Sequence, residues 1–291
     1  MTYLQEEIAS QPACWARARE LAPGAPLPAA GERVAIIGCG TSLYMAQSYA
    51  VLRESAGQGE TDAWPASEFP AGRRYDRIVA LTRSGTTTEI LAALARVPAG
   101  TPTVAITADP ATPIGEAADE VIALDFADER SVVQTRFATT ALVLLRTHAV
   151  DDTADLPAQV SRALTAELPE ALVAADQVSF LGTGWTFGLA NEAALKLREA
   201  AQAWTEAYYA MEYRHGPISI AAPGRAVWIF GAAPAGLVAE VARIGAHVEH
   251  ADLDPLADLV RAHRLAAAVA AARGLDPDHP RNLTRSVVLT P

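Results

Sequence analysis

The stretch Ile78–Ile90 reads Ile-Val-Ala-Leu-Thr-Arg-Ser-Gly-Thr-Thr-Thr-Glu-Ile. It begins with four apolar residues and then passes through five hydroxyl residues, one arginine and one glycine. Apolar residues at helical spacing follow, up to residue 94. This order predicts a buried strand, a tight loop and the start of a helix. Such a loop presents backbone N–H groups at the positive end of a helix, where a phosphate binds well.

Two interpretations of this loop are open. Thr86 followed three residues later by Glu89 is also an ordinary capping box, which precedes helices of many kinds. A capping box does not account for the other polar residues, and a phosphate cradle does. These residues are Thr82, Arg83, Ser84 and Thr87.

Composition and charge limit the class of protein. The 291 residues are 51% hydrophobic and 20% charged, which suits an α/β protein of one large or two ordinary domains. A net charge of −11 argues against binding to nucleic acid or to an anionic membrane. Two cysteines, Cys14 and Cys39, are too few for a disulfide framework and favour a reducing compartment. The acidic N-terminus does not resemble a signal peptide, and no apolar run approaches membrane length. We therefore expect a cytoplasmic protein.

The remaining sequence alternates predicted strands with predicted helices. Residues 1–30 form a predicted amphipathic helix and a linker, and Pro12 is expected to interrupt the helix. A first αβα subdomain is predicted over residues 31–150 and a second over residues 151–291. The last predicted strand is Ser286–Leu289.

One strand-and-turn pattern occurs twice. Val34–Gly40 is an apolar run ending in Gly-x-Gly, and Val178–Gly184 repeats this arrangement. An alanine-rich helix is predicted after each. Strands alternating with helices predict parallel sheets covered on both faces, so we predict an α/β fold of two doubly wound, flavodoxin-like subdomains.

The turn after the first strand is not a dinucleotide fingerprint, because Leu43 stands where the third glycine is needed. Thr41 and Ser42 place two hydroxyl groups at the start of the following helix. They could face the same ligand as the loop in Ile78–Ile90.

A predicted helix beginning near Gly188 carries Glu192, Lys196 and Glu199 at positions i, i+4 and i+7, on one face. By spacing alone, a solvated face with a Glu–Lys pair is the favoured interpretation. Farther along, Gly216-Pro217 holds His215 in a turn, the most constrained setting among the six histidines.

No metal or cofactor is predicted. His247 and His250 could share a helix face, but no neighbouring residue completes a ligand set.

Several segments, in order, resemble the sugar isomerase (SIS) domain family, and most closely the isomerase half of glucosamine-6-phosphate synthase. The resemblance extends from about residue 34 to the C-terminus and implies two SIS subdomains and a phosphosugar ligand. The matching segments are Gly38–Ser42, Thr82–Thr87, Glu192–Glu199, Glu206–Tyr208, Glu212–Pro217 and Pro280–Val287.

The resemblance also implies roles for individual residues. Glu199 corresponds to the base that moves a proton between C2 and C1, with Lys196 favouring its ionised form. His215 corresponds to the residue that opens the sugar ring from the other subunit, which implies a homodimer. The positions that correspond to the phosphate site and its glycine turn are Gly40, Ser42, Thr82, Arg83, Ser84 and Thr87. The positions along the sugar are Thr41, Val132 and Gln134.

Departures from the family pattern change the expected reaction. Arg285 replaces the family's Schiff-base lysine, and an arginine cannot form that imine at neutral pH. Gln134 stands in place of a serine, and no glutamine-hydrolysing segment precedes this half. We therefore expect no amidotransfer from glutamine, and we expect Arg285 to pair with an oxygen of the open-chain sugar.

The expected chemistry is ring opening and enolisation of glucosamine 6-phosphate, N-acetylglucosamine 6-phosphate or fructose 6-phosphate. Protonation at C1 would give isomerisation, or deamination of an amino sugar. Expulsion of the C3 hydroxyl would make the protein a dehydratase (lyase), and an N-acetyl group favours this outcome. A non-catalytic sugar-phosphate sensor is the third hypothesis.

Overall fold

The computed structural model describes residues 1–150 and 152–289. They form two compact units, each built on its own parallel sheet. Unit A comprises the described residues of Ser10–Arg130, Gln134–Ala154 and Thr284–Pro291. Unit B comprises Met1–Ala9, Ser131–Val133 and Asp155–Leu283. The predicted boundaries at residues 30 and 150 stay predictions, and Asp151, Thr290 and Pro291 lie outside the described residues.

The sheet of unit A is parallel throughout. Its strands are β1 (Val34–Gly38), β2 (Thr61–Pro65), β3 (Arg77–Leu81), β4 (Thr103–Thr107) and β5 (Glu120–Ala123), in the spatial order β2-β1-β3-β4-β5. Every residue of β1 and β4 is buried, as continuous apolar runs predict for strands covered on both faces. The strand order reverses between β1 and β3, which is where a doubly wound sheet binds ligands.

The helices of this part of the chain are α1 (Tyr3–Leu21), α2 (Thr41–Ser55), α3 (Thr88–Leu94), α4 (Ile114–Ala117) and α5 (Arg136–Val150). Of α1, only the residues from Ser10 onward belong to unit A. Pro12 does not interrupt α1, so that prediction is wrong. Burial of Leu4, Ile8 and Trp15 offsets the roughly 3 kcal/mol that an interior proline costs a helix.

The sheet of unit B is also parallel. Its strands are β6 (Gln177–Gly182), β7 (Trp204–Tyr209), β8 (Arg225–Phe230) and β9 (His247–Glu249), in the order β7-β6-β8-β9. Its helices are α6 (Leu156–Thr165), α7 (Glu170–Val173), α8 (Thr186–Ala201), α9 (Leu237–Ile244) and α10 (Pro255–Ala272). The predicted class, two doubly wound αβα subdomains with parallel sheets, is confirmed.

The repeated sequence pattern has the same structural role in both sheets. It forms β1 in unit A and β6 in unit B, and each is the first strand of its sheet. A Cβ on Gly38 would lie 2.6 Å from the carbonyl carbon of Ser42, and one on Gly182 would lie 2.4 Å from the carbonyl oxygen of Thr186. Both glycines are required because the backbone of the next helix packs directly against the end of the strand.

The predicted strand Ser286–Leu289 is not present in the described residues. This segment has no regular structure, because its backbone bonds to the start of α3 rather than to a neighbouring strand. None of the described helices is long and apolar enough to cross a membrane.

Candidate functional site

A loop of fixed shape follows β3 in unit A. Thr82, Arg83 and Ser84 are buried there. The amide of Gly85 donates to Thr82 Oγ1 at 3.3 Å, and the amide of Thr86 donates to Ser84 Oγ at 3.3 Å. These bonds hold the hydroxyl side chains against the loop's own backbone, as in turns rich in serine and threonine.

Gly85 is required by this loop for two reasons. Its φ of +66° lies in the left-handed region, and a Cβ there would lie 2.0 Å from Thr112 Oγ1. The start of α3 differs from the predicted capping box, because the residue at the N-cap is Thr87 and no side chain caps the helix. Thr86 instead donates to Ser84 Oγ at 3.2 Å.

The turn after β1 lies at the same edge of the sheet. β1 and β3 are parallel neighbours, with Ile37 opposite Ala80, so the loops at their carboxyl ends adjoin. Gly40 has a φ of +54° and precedes α2, whose first residues Thr41 and Ser42 are buried. Unit A thus brings together the residues predicted to hold the phosphate.

Cys39, which lies between Gly38 and Gly40, is not activated as a nucleophile. Burial raises the pKa of its thiol, and the nearby Glu89 raises it further. A thiol with a raised pKa stays protonated at neutral pH. Cys39 therefore acts as a small packing residue.

The side chain of Arg83 contacts two other residues of unit A. Its guanidinium is 3% exposed, donates from Nη2 to the carbonyl of Arg285 at 3.1 Å, and lies 3.8 Å from the carboxylate of Glu129. Glu129 is fully buried and accepts from the amides of Thr135 and Arg136, at 2.6 and 2.8 Å, at the start of α5. Glu129 was not among the predicted site residues, because it lies seven residues before the start of α5, too far for a local capping pattern to indicate it.

The C-terminal segment contacts the same loop. Ser286 Oγ lies 2.8 Å from Thr86 Oγ1, and the amide of Thr88 donates to the carbonyl of Val287 at 3.2 Å. The guanidinium of Arg285 bonds to the carbonyl of Glu129 and to the carboxylate of Asp128. Its predicted pairing with a sugar oxygen stays a prediction.

Val132 and Gln134 are each half-buried. The amide of Val132 donates to the carbonyl of Asp278 at 3.2 Å within unit B. Gln134, in unit A, has a buried Oε1 without a hydrogen-bond partner among residues 1–150 and 152–289. A buried amide oxygen in that state is a suitable acceptor for a ligand hydroxyl.

The charged face of α8 in unit B is buried, contrary to the interpretation that spacing favoured. Glu192 and Lys196 are 0% and 1% exposed, whereas the side chain of Glu199 is 20% exposed. Lys196 Nζ lies 2.5 Å from Glu199 Oε2 and 3.5 Å from Glu192 Oε1. The three predicted positions therefore form one ionic cluster in which only Glu199 is open to solvent.

A fourth residue near this cluster was not singled out by the sequence. α10 packs against α8 and buries His263 completely. Burial, and secondarily the charge of Lys196, lowers the pKa of His263 to about 3. The imidazole is thus neutral. No local spacing on α10 indicates this contact.

His215 lies at the surface of unit B, in a 3-10 helix over Glu212–His215. Gly216, with a φ of +133°, ends this helix. Arg214 anchors the turn through two bonds to Glu240, at 2.8 and 3.0 Å. The exposed imidazole is therefore carried by a well-fixed turn.

No group of three or more potential metal ligands occurs among the side chains of the described residues.

Residues 29–149 match the family model of the SIS domain. The resemblance to the SIS domain family that the sequence predicted is confirmed over this range. The isomerizing glutamine–fructose-6-phosphate aminotransferase of Gloeobacter violaceus is 30% identical over 316 aligned residues, which cover 89% of this chain and 52% of that protein. The chain spans about half the length of the curated relatives it matches.

Solved structures share the whole fold. Glucosamine-6-phosphate deaminase from Thermotoga maritima has a TM-score of 0.83 at 24% identity, covering 99% of this chain and 100% of that one. The C-terminal domain of glucosamine-fructose-6-phosphate aminotransferase from Francisella tularensis has a TM-score of 0.82 at 20% identity, covering 96% and 98%. At these identities the likeness shows the fold alone.

Proposed function

We propose that this protein opens and enolises a hexose or hexosamine 6-phosphate. It removes the proton from C2 and returns a proton to C1, which gives aldose–ketose isomerisation. When C2 carries an amine, the same proton transfer gives an imine, which water hydrolyses to the ketose and ammonia. The observation that carries the proposal is the buried ion pair between Lys196 and Glu199. The similarity to an isomerizing aminotransferase supports the substrate class.

Glu199 is the proposed base. A base must be held in a fixed position, and the ammonium of Lys196 holds the Glu199 carboxylate at 2.5 Å. Its partial exposure lets the carboxylate reach a bound sugar, whereas Glu192 is sealed inside the unit.

The ionic cluster is expensive for the fold. Moving a charge out of water costs several kcal/mol even after relaxation, and pairing recovers only part of this. In many proteins, replacing a buried ion pair by apolar residues of similar volume is neutral or stabilising. Their burial is better explained by a task that needs a fixed cation beside Glu199.

The phosphate is proposed to bind at the carboxyl ends of the strands in the sheet of unit A. Ser42, Thr82, Ser84 and Thr87 supply hydroxyl groups and Gly40 permits the close turn, with the start of α2 contributing its backbone amides. Arg83 adds positive charge from within the loop, although Glu129 offsets part of it. Thr41, Val132 and Gln134 are proposed to contact the sugar, with the Gln134 oxygen accepting from a hydroxyl.

His215 is proposed to open the ring from a second subunit, so the active form is a homodimer. Amidotransfer is not proposed, because Arg285 cannot form a Schiff base.

Proton NMR in D2O tests the reaction. Glucosamine 6-phosphate, N-acetylglucosamine 6-phosphate and fructose 6-phosphate are each incubated with the protein. Deuterium entering C2 or C1 is expected, and an alkene proton would instead identify dehydration. Absence of exchange and of product with all three sugars would overturn the proposal.

Glu199→Gln separates a catalyst from a sensor. We expect exchange to fall by about 10²–10⁴-fold, as for loss of a general base, while calorimetric affinity for fructose 6-phosphate stays within about threefold. Glu167→Gln is the matched control, since Glu167 is an exposed glutamate of unit B. Unchanged exchange in Glu199→Gln would exclude Glu199 as the base.

A further inference from the structure

A cavity of about 440 Å³ lies beside Glu199 within unit B. It is formed by the C-terminal end of α8, the turn after that helix and residues 281–283. Besides Glu199, its polar lining consists of Arg198, Gln202, Arg281 and Asn282. A water molecule occupies about 30 Å³ in the liquid, so the cavity can hold a group of amino-acid size.

The charge of this cavity is opposite to that of the chain. Two guanidinium groups and one carboxylate give its lining a formal charge of +1, in a protein with a net charge of −11. Arg198 is anchored, because its Nη1 lies 3.2 Å from both the carbonyl oxygen and Oγ1 of Thr205. Arg281 is exposed and has no ion-pair partner within the described part of the chain.

The two amide residues are also held in place. Gln202 ends α8 in the left-handed conformation, with a φ of +51°, and its amide donates to the carbonyl of Arg198 at 3.1 Å. Asn282 has a φ of +64°, a conformation that asparagine tolerates better than most residues. The cavity is thus lined by guanidinium and amide donors on a constrained backbone.

We propose that this cavity binds a carboxylate carried by a substituent of the substrate. The substrate class is then an amino-sugar 6-phosphate whose nitrogen bears a carboxylate-ended chain. This inference rests on the proposed function, because it takes Glu199 as the base at C2.

The position of the base determines where such a substituent goes. A base lies within hydrogen-bond reach of the proton it removes, so a group on C2 or on the adjacent carbon lies next to Glu199 and enters the cavity. Arginine forms planar, two-point contacts with carboxylates. The substrate already carries a phosphate, and the nearby carboxylate of Glu199 would repel another doubly charged group in the cavity. A single carboxylate matches the +1 charge of the lining.

Two matched compounds test the inference. They are N-(carboxymethyl)glucosamine 6-phosphate and its N-(carbamoylmethyl) analogue, which differ in charge and scarcely in shape. The readout is the ratio of kcat/KM for deuterium exchange at C2, acid over amide. For the wild-type protein we expect a ratio of about ten, the size of one charge-assisted contact at a partly exposed site.

Variants of Arg281 identify the source of this preference. Arg281→Gln should bring the ratio close to one, and Arg281→Lys should retain part of it because the charge remains. Arg243→Gln removes an equal charge from the exposed surface of α9, outside the cavity, and should leave the wild-type ratio. The Tm of each variant verifies folding.

A wild-type ratio near one, or a ratio that Arg281→Gln does not change, would overturn the inference even if exchange occurs. If no sugar shows exchange, the proposed function fails by itself. The calorimetric Kd values of the same two compounds then test whether the cavity binds a carboxylate. The acid should bind about ten times more tightly than the amide, and equal Kd values, or a preference that Arg281→Gln does not change, would overturn the inference.

Discussion

Lys196 and Glu199, one turn apart on α8, form a 2.5 Å ion pair in which the ammonium is 1% exposed and the carboxylate 20%. Glu192, one turn before Lys196 on the same face, lies 3.5 Å from that ammonium and is fully buried. Lys196 therefore stands between a sealed carboxylate and an accessible one. This arrangement distinguishes Glu192, a structural partner, from Glu199, the proposed base.

Replacing the cation tests that separation. Lys196→Met should lower the free energy of unfolding by about 3–5 kcal/mol, because Glu192 then remains buried without its cation. The double variant Glu192→Gln/Lys196→Met should recover more than half of this loss, while C2 exchange stays low in both. Urea unfolding and NMR exchange measure the two effects. Arg243→Met, at an exposed position, is the control, and a loss below about 1 kcal/mol for Lys196→Met would contradict the argument.

His263 should make the fold sensitive to acid. Its pKa is lowered to about 3 by burial, against 6.5 for an ordinary histidine, so the unfolded chain binds this proton more readily than the folded one. The stabilisation is complete above pH 6.5 and is lost as the pH falls from 6.5 toward 3. Between pH 7 and pH 5 this residue should remove about 2 kcal/mol from the free energy of unfolding.

The comparison of two histidine variants isolates this contribution. His263→Gln should flatten the dependence of unfolding free energy on pH between 7 and 5. His279→Gln, at a position 77% exposed, should leave the wild-type slope. Equal slopes in all three proteins, measured by urea unfolding, would show that His263 does not titrate as described.

Gly85 can be compared with a glycine in open space. Gly85 and Gly100 both have positive φ values, +66° and +86°, but a Cβ on Gly100 meets nothing within 4 Å. Gly100→Ala should cost about 1–2 kcal/mol for the backbone conformation alone. Gly85→Ala should cost at least 1 kcal/mol more, because its Cβ would overlap Thr112, and it should weaken binding of fructose 6-phosphate. Thermal unfolding and calorimetry provide the measurements, and equal effects would contradict the role of Gly85.

The proposed homodimer predicts complementation between two inactive variants. Random mixing of Glu199→Gln and His215→Asn subunits should restore about a quarter of the wild-type sites, since half of the dimers then contain one intact pair. C2 exchange after mixing measures this recovery. As a control, Glu199→Gln mixed with the double variant Glu199→Gln/His215→Asn should stay inactive. No recovery in the first mixture would show that His215 does not act across subunits.

Local sequence pattern was a reliable guide to the sheets. The apolar run of β3 and the repeated Gly-x-Gly turns predicted strands that the structure contains. The residues proposed to hold the phosphate were all found in one hydroxyl-rich loop and one turn. Two local rules were overridden by packing: Pro12 lies inside α1, and Ser286–Leu289 bonds to α3 instead of forming a strand.

The ionic contacts of α8 could not be predicted from local sequence pattern. Spacing showed that Glu192, Lys196 and Glu199 share one face of α8, but it could not tell whether solvent or another helix covers that face. Glu129 and His263 were not predicted either, because each depends on a partner distant in sequence.

The sequence by itself determined the two parallel sheets, the turn glycines and the hydroxyl loop. These features follow from burial of continuous apolar runs and from backbone conformations that only glycine adopts easily. Only the tertiary structure decided which charges are buried and how they pair. α10 packs on α8, and the ammonium of Lys196 is buried while the carboxylate of Glu199 keeps partial access to solvent. The attraction between the two charges is therefore screened less than on a solvated helix face.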